Sequence, residues 1–312
     1  MSSSVSESNL IEPDSKRPSP LSNEALKNLN TRSTLKGLFQ LSAHFAILGI
    51  SGYLWGTNLG HNWLIAIPAL IVYGFGFAAM FAPMHESSHR TAFENNLLND
   101  AVCWLAGVLS FYNGAFYRRY HKWHHRHVQD FDNDPELSDP IPQSLGEYLL
   151  MLSGASWWWG KLKTHYRVAT GQLEDYPYIS EESRDSVMFA VRSQLAVYGI
   201  AIAISLIAGH PWFITYWLFP LMVGQPMLRM ILLSEHTGCT HDTNPLTNTR
   251  STKTLFPLQF LMWNMPYHAE HHLYPSIPFH QLPAAHEQLG EHFTYKDQGY
   301  VEVNYNFAKN LV

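Results

Sequence analysis

The chain has 312 residues, 46% of them hydrophobic, 14% aromatic and only 14% charged, whereas soluble domains carry about a quarter charged side chains. Twenty Lys plus Arg against 25 Asp plus Glu leave a net charge of −5, which excludes a nucleic-acid binder that works by neutralising phosphates. Cys103 and Cys239 are too few for a disulfide framework, an iron–sulfur cluster or a Cys-based zinc finger, while the 18 histidines nearly match Lys plus Arg.

Residues 1–33 read as a disordered polar segment, with Ser2, Ser3, Ser4, Pro13, Pro18 and Pro20. Glu7, Glu12, Asp14 and Glu24 argue against a transit peptide, and no apolar core marks a signal peptide. Residues 37–85 then contain no Lys, Arg, Asp or Glu. As one helix they would run ~73 Å at ~1.5 Å per residue, over twice a ~30 Å hydrocarbon layer, so two spans are expected, 37–56 and 62–83, with a turn at 57–61. Gly74-Phe75-Gly76-Phe77-Ala78-Ala79 matches a dinucleotide fingerprint only nominally: no strand precedes it, and the glycines suit close helix packing. Residues 97–113 are apolar but short and read as interfacial or re-entrant. Residues 154–166, with Trp157-Trp158-Trp159, read as an aromatic-belt helix on the membrane surface. A second charge-free stretch, 193–228, is broken by Gly209-His210-Pro211 and gives two more spans.

The expected fold is an all-α integral membrane protein: four transmembrane helices in two hairpins, with a cytoplasmic helical cap carrying a His-rich dimetal site. No strand is expected. Residues 34–292 form the membrane domain and 293–312 a C-terminal tail. The turns at 57–61 and 209–211 hold no Lys or Arg, whereas Lys27, Arg32, Lys36, Arg90, Arg118, Arg119, Lys122, Arg126, Lys161, Lys163 and Arg167 fall on the other side. The positive-inside rule makes that side cytoplasmic, together with both termini.

Three histidine clusters fall on the same side. His85 and His89 are spaced i, i+4; His121, His124 and His125, and again His268, His271 and His272, are spaced i, i+3, i+4, which puts three imidazoles on one helix face. Neutral imidazole ligates iron, zinc, copper or nickel, and eight imidazoles exceed the needs of one ion, so two metals are expected. His236, where the fourth span emerges, is a ninth candidate. Glu86, Asp130, Asp132, Asp134, Glu235 and Glu270 are expected to receive second N–H groups of ligating histidines. His44, His61, His127, His165, His210, His241, His280, His286 and His292 lack a pattern and are expected as surface or interfacial histidines, with His241 and His127 the first exceptions. His286 is expected to tolerate Ala.

The boxes His85-Glu86-Ser87-Ser88-His89-Arg90-Thr91-Ala92-Phe93, the Asp134-Pro135-Glu136 after the second box, Asn264 to Pro275 (NMPYHAEHHLYP) and the closing Pro278 to Pro283 together resemble the membrane fatty acid desaturase superfamily, in its short bacterial branch, over about 41–289. The resemblance implies a non-haem di-iron centre held by His85, His89, His121, His124, His125, His236, His268, His271 and His272. It also implies O₂ as co-substrate, a lipid or fatty acyl substrate, and a separate electron donor of ferredoxin or cytochrome b5 type, since no His-Pro-Gly-Gly haem segment is seen. Carotenoid ketolases and hydroxylases share a similar third box, so hydroxylation or ketone formation on the same scaffold stays open. A zinc-dependent membrane hydrolase would need only about three histidines, an acid and a water. A haem cytochrome would place its histidines mid-span, and a metal transporter would line its spans with polar groups.

Overall fold

The computed structural model describes residues 20–138 and 141–311. Helix α1 (Asn23–Leu29) is capped by Ser22, whose side chain accepts from the Ala25 N–H. Helix α2 (Thr34–Asn58) is capped in the same way by Ser33. Gly60, at φ +77°, turns the chain, and Asn62 caps α3 (Trp63–Ala79). Helix α4 (Phe81–Ser88) prolongs α3 after a break at Met80. Pro83 accounts for that break, because it has no N–H for the Ala79 carbonyl and its ring crowds that oxygen.

Helices α5 (Asn96–Ser110), α6 (Gly114–His127), α7 (Leu145–Leu152) and α8 (Ala155–Ala169) follow. Helix α9 (Glu181–Ile207) ends at Gly209, φ +66°, and a π-helical turn (Ile214–Leu218) leads into α10 (Phe219–His236). Among the described residues, four helical segments are long and apolar enough to cross a membrane: Thr34–Asn58, Trp63–Ser88, Glu181–Ile207 and Ile214–His236. The molecule is mostly helical, as expected. The outward faces carry Leu64 at 89% and Ile207 at 87% exposure, a pattern suited to lipid contact.

The second span is the central one, with α2 on one side and α10 on the other. Small residues make this possible. A Cβ on Gly224 would lie 2.0 Å from the Gly74 carbonyl oxygen, and one on Gly74 would lie 2.3 Å from that of Pro220. The expectation that these glycines serve helix contact holds.

Several expectations are corrected. Strand β1 (Arg250–Lys253) pairs in parallel with β2 (Tyr295–Gln298), Arg250 opposite Tyr295. Two four-residue strands far apart in sequence carry too little alternation to be read beforehand. Of the segment expected to be disordered, residues 1–19 lie outside the described residues; residues 20–33 include α1. There Leu21 and Leu29 are buried against Ala269, Leu273, Ile277 and Leu289, so apolar burial orders a stretch that composition made look free.

The expected C-terminal tail is packed over its described residues, 293–311. It holds β2 and α14 (Tyr300–Ala308), where the Asn304 amide donates to the Met230 carbonyl and the Ser234 hydroxyl of α10. The Trp157-Trp158-Trp159 run is not a uniform belt. Trp159 is 72% exposed, but Trp157 and Trp158 pack on Phe111. Helix α5 has 15 residues, too short for a crossing. The remaining helices are α11 (Phe256–Leu261), α12 (His268–Leu273) and α13 (Leu282–Leu289).

Candidate metal centre

Each box sits where a helix delivers it. His85 lies in α4, and His89 follows its last residue; α6 carries His121, His124 and His125 on one face; His236 ends α10; and α12 carries His268, His271 and His272. Five of these, His85, His89, His121, His125 and His271, have ligand atoms within 4.8 Å of one another, and so do His124, His236 and His272. The His268 Nε2 lies 3.2 Å from the His236 Nε2, which joins it to the second group. All nine histidines singled out from the sequence therefore converge, His236 included.

Ring nitrogens point inward. His125 Nε2 is 3.0 Å from His121 Nε2 and 3.1 Å from His271 Nε2, and His124 Nε2 is 3.3 Å from His236 Nε2. Both ring nitrogens of His85, and Nε2 of His89 and His272, are buried without a hydrogen-bond partner among the described residues. Buried polar atoms normally have partners, so this many orphaned nitrogens facing one another is the pattern of a ligand cage. Burial, reinforced by the neighbouring imidazoles, holds His121, His125, His268, His271 and His272 well below the ordinary histidine pKa; burial and Arg118 hold His89 at about 3. The rings are thus neutral, the form that binds metal.

The outer partners are specific. His124 Nδ1 donates to Asp134 Oδ1 at 2.8 Å, and Asp134 also accepts from the Gln129 and Glu136 backbone N–H groups. Burial opposes the Asp134 charge, but the hydrogen bond and charge of His124 together with the Glu136 and Gln129 backbone N–H groups outweigh it and keep that carboxyl below the usual range. His236 Nδ1 donates to the Asn248 carbonyl at 3.2 Å, while the Gln129 amide donates to the His236 carbonyl at 2.7 Å. Arg118 donates to the Ser88 and Ser87 carbonyls at the end of α4 and pairs with Asp100 at 2.6 Å, which fixes the first box.

Of the six acids expected near the ligands, Asp134 meets a box histidine, and Glu235 approaches His268 Nε2 at 3.6 Å. Asp130 faces His127, and Asp132 is exposed. Glu86 accepts from the Phe279 N–H, and Glu270 accepts from Ser251 and His286, behind α12. Adjacency in sequence to a box thus did not make an acid its partner, because a helix turns neighbours to different faces.

Among the unpatterned histidines, His61, His210, His241 and His292 are exposed. His44 and His165 are buried, correcting the surface expectation: His44 donates to the Gly76 carbonyl, and His165 stacks on Phe111. His286 is half-buried on Glu270. Sequence reasoning missed Gln129 and Asn248, which act through a backbone N–H and a backbone carbonyl as well as an amide, and it gave Glu136 no role.

A cavity of about 350 Å³ opens beside the cluster, with His85, His121 and His268 in its wall along with Phe81, Tyr117 and Met265. Such a space next to a histidine cluster is of a size that a ligand could enter.

A family profile described as fatty acid desaturase matches residues 61–304. Over 253 residues, 74% of this chain and 71% of the relative, the chain is 21% identical to an sn-1 oleoyl-lipid 12-desaturase of Picosynechococcus sp.. It is 23% identical over 238 residues to the protein of that name from Synechocystis sp., covering 70% of this chain and 67% of that one. To a sphingolipid delta(4)-desaturase DES1-like protein of Arabidopsis thaliana it is 25% identical over 273 residues, 83% of this chain and 71% of the relative. With four apolar spans and a family match over most of its length, this chain belongs to the fatty acid desaturase family and is an oxidoreductase of the desaturase type.

Proposed function

We propose that this protein desaturates the acyl chain of a membrane lipid, using O₂ and electrons from a separate donor of ferredoxin or cytochrome b5 type, at two non-haem irons. The observation that carries the reading is a cavity, walled in part by His85, His121 and His268, that opens beside a nine-histidine cage. His85, His89, His121, His125 and His271 would hold one iron, and His124, His236, His268 and His272 the other. The irons would supply the O₂ activation and hydrogen removal that no side chain can perform and that zinc, lacking redox chemistry, cannot.

The remaining work belongs to the chain. Asp134 and the Asn248 carbonyl take the outer N–H groups of His124 and His236, so their inner nitrogens present lone pairs. Phe81, Tyr117 and Met265 supply apolar wall against which CH₂ groups would lie beside the histidines, while Glu136, Lys161, Arg229 and Glu235 make the rest of the cavity wall polar. On the positive-inside reading, the cage and both termini lie on the cytoplasmic side, and a lipid chain enters between the spans.

Expression in a host lacking the activity, with mass spectrometry of its acyl chains and carotenoids, tests the proposal. New double bonds in acyl chains that depend on His271 support it. Hydroxylated or keto products transfer the function to the hydroxylase or ketolase reading, and a hydrolysed product that tracks zinc defeats the redox assignment.

A further inference from the structure

Glu136 stands on a 3₁₀ turn (Pro135–Leu137) outside the spans, beside the cage, with its side chain about a third exposed and lining the 350 Å³ cavity. Its Oε2 lies 3.6 Å from His124 Nε2, the nitrogen that faces His236, and its Oε1 lies 4.0 Å from His121 Nδ1. His121, His124 and Glu136 have ligand atoms within 4.8 Å of one another, so the carboxylate reaches both histidine groups. Those groups are unequal: one has five imidazoles, the other four.

The turn holds this position by itself. Asp134 caps it by accepting the Glu136 N–H, and its carboxylate also receives His124 Nδ1–H, so one side chain fixes both the ligand ring and the approach of Glu136. Helix α6 sets the spacing between His121 and His124, and Glu136 lies across that gap. His121 Nδ1 is buried with no hydrogen-bond partner, and a carboxylate oxygen approaching that nitrogen suits the N–H form.

We infer that Glu136 is a tenth metal ligand, a carboxylate that completes the four-histidine site with one oxygen and takes the His121 N–H of the five-histidine site with the other. The inference rests on the two-metal reading above. It makes the two ions chemically different: one bound by five neutral nitrogens, the other by four nitrogens and an anionic oxygen. A hard carboxylate favours the ferric state of the ion it binds, which gives the pair a built-in asymmetry.

The test uses the full-length protein in lipid nanodiscs, loaded anaerobically with ⁵⁷Fe²⁺ as the only metal, and compares wild type with Glu136→Gln and Glu136→Ala. Iron per chain and the Mössbauer spectrum are read, together with the melting temperature of the metal-free proteins as the folding control. Outer-sphere partners change metal affinity roughly 10–100-fold, and a direct ligand is expected to cost at least that much. Wild type should hold two irons and show two inequivalent sites. Both variants should melt like wild type without metal, keep one iron, and release the second at least ~100-fold more readily.

Two irons in both variants with the wild-type spectrum would overturn the assignment of Glu136 and leave the nine-histidine reading standing. Fewer than two irons in the wild type would overturn the two-metal reading and this inference with it. Glu136→Ala closes the escape in which the Gln carbonyl replaces the carboxylate. Should either variant melt lower without metal, the iron-loaded wild type carrying ¹³C-carboxylate glutamate decides alone: ¹³C hyperfine coupling to one iron supports a carboxylate ligand, and its absence defeats it.

Discussion

His124 and Asp134, ten positions apart, meet at 2.8 Å with both side chains at most 2% exposed, and the hydrogen bond fixes which nitrogen of His124 faces the cage. Asp134→Asn keeps the shape but replaces the accepting carboxylate with an amide that can present a donor to Nδ1. Metal affinity of the second site should fall roughly 10–100-fold, with the fold intact. Iron titration beside circular dichroism checks this; unchanged affinity would remove Asp134 from the centre.

Replacing His271 by Ala tests the cage from the other side. Its Nε2 faces His125 Nε2 at 3.1 Å, and it sits in α12, outside all four spans. The spans are held by lipid and helix contact, so the variant should insert normally and yet lose product and iron. Membrane fractionation with iron analysis decides, and product at the wild-type level would end the proposed ligand role.

His286 is not the bystander its isolation in sequence implies. Its Nδ1 donates to Glu270, which is fully buried in α12 and also accepts from the Ser251 hydroxyl, while Ser251 Oγ accepts the Ala269 N–H. The Glu270 hydrogen bond outweighs partial burial and raises the His286 pKa above its ordinary value. A pKa raised on folding stabilises fully below the unfolded value of about 6.5, and that contribution is lost as pH rises through the folded value. Hydrogen bonds to charged groups contribute ~1.5–3 kcal/mol, and the partial exposure of His286 reduces this to about 1 kcal/mol. His286→Ala should therefore melt lower than wild type near pH 6, with the gap closing toward pH 9. A gap independent of pH would refute the ion-pair account.

Gly224→Ala would put a methyl group 2.0 Å from the Gly74 carbonyl oxygen. Backbone cannot yield as a side chain can, so the second and fourth spans must separate. Overpacking of this kind costs about 1–3 kcal/mol. The shift should also displace His236 at the end of α10, so thermal stability and second-site iron should fall together. Gly199→Ala, with nothing within 4 Å of its Cβ, is the control and should be neutral.

The spans were legible because hydrocarbon disfavours unpaired charge over a fixed length, so two stretches without Lys, Arg, Asp or Glu mark four of them, although the third begins earlier, at Glu181, and the fourth runs on past Arg229 to His236. The boxes were legible because helical spacing puts i, i+3 and i+4 on one face without knowledge of the fold. His236 was reached only through its place at the end of a span, and it does join the cluster. What tertiary structure decided lies wherever partners are distant in sequence and unmarked by period. Glu270 turned to His286 instead of a ligand, α1 was ordered by the α12–α13 region, and β1 found β2. Glu136 reached two histidines through a three-residue turn whose direction Asp134 sets. A pattern within one helix is fixed by local geometry; a contact between elements depends on how several of them pack at once, and one chain's order of residues does not display that.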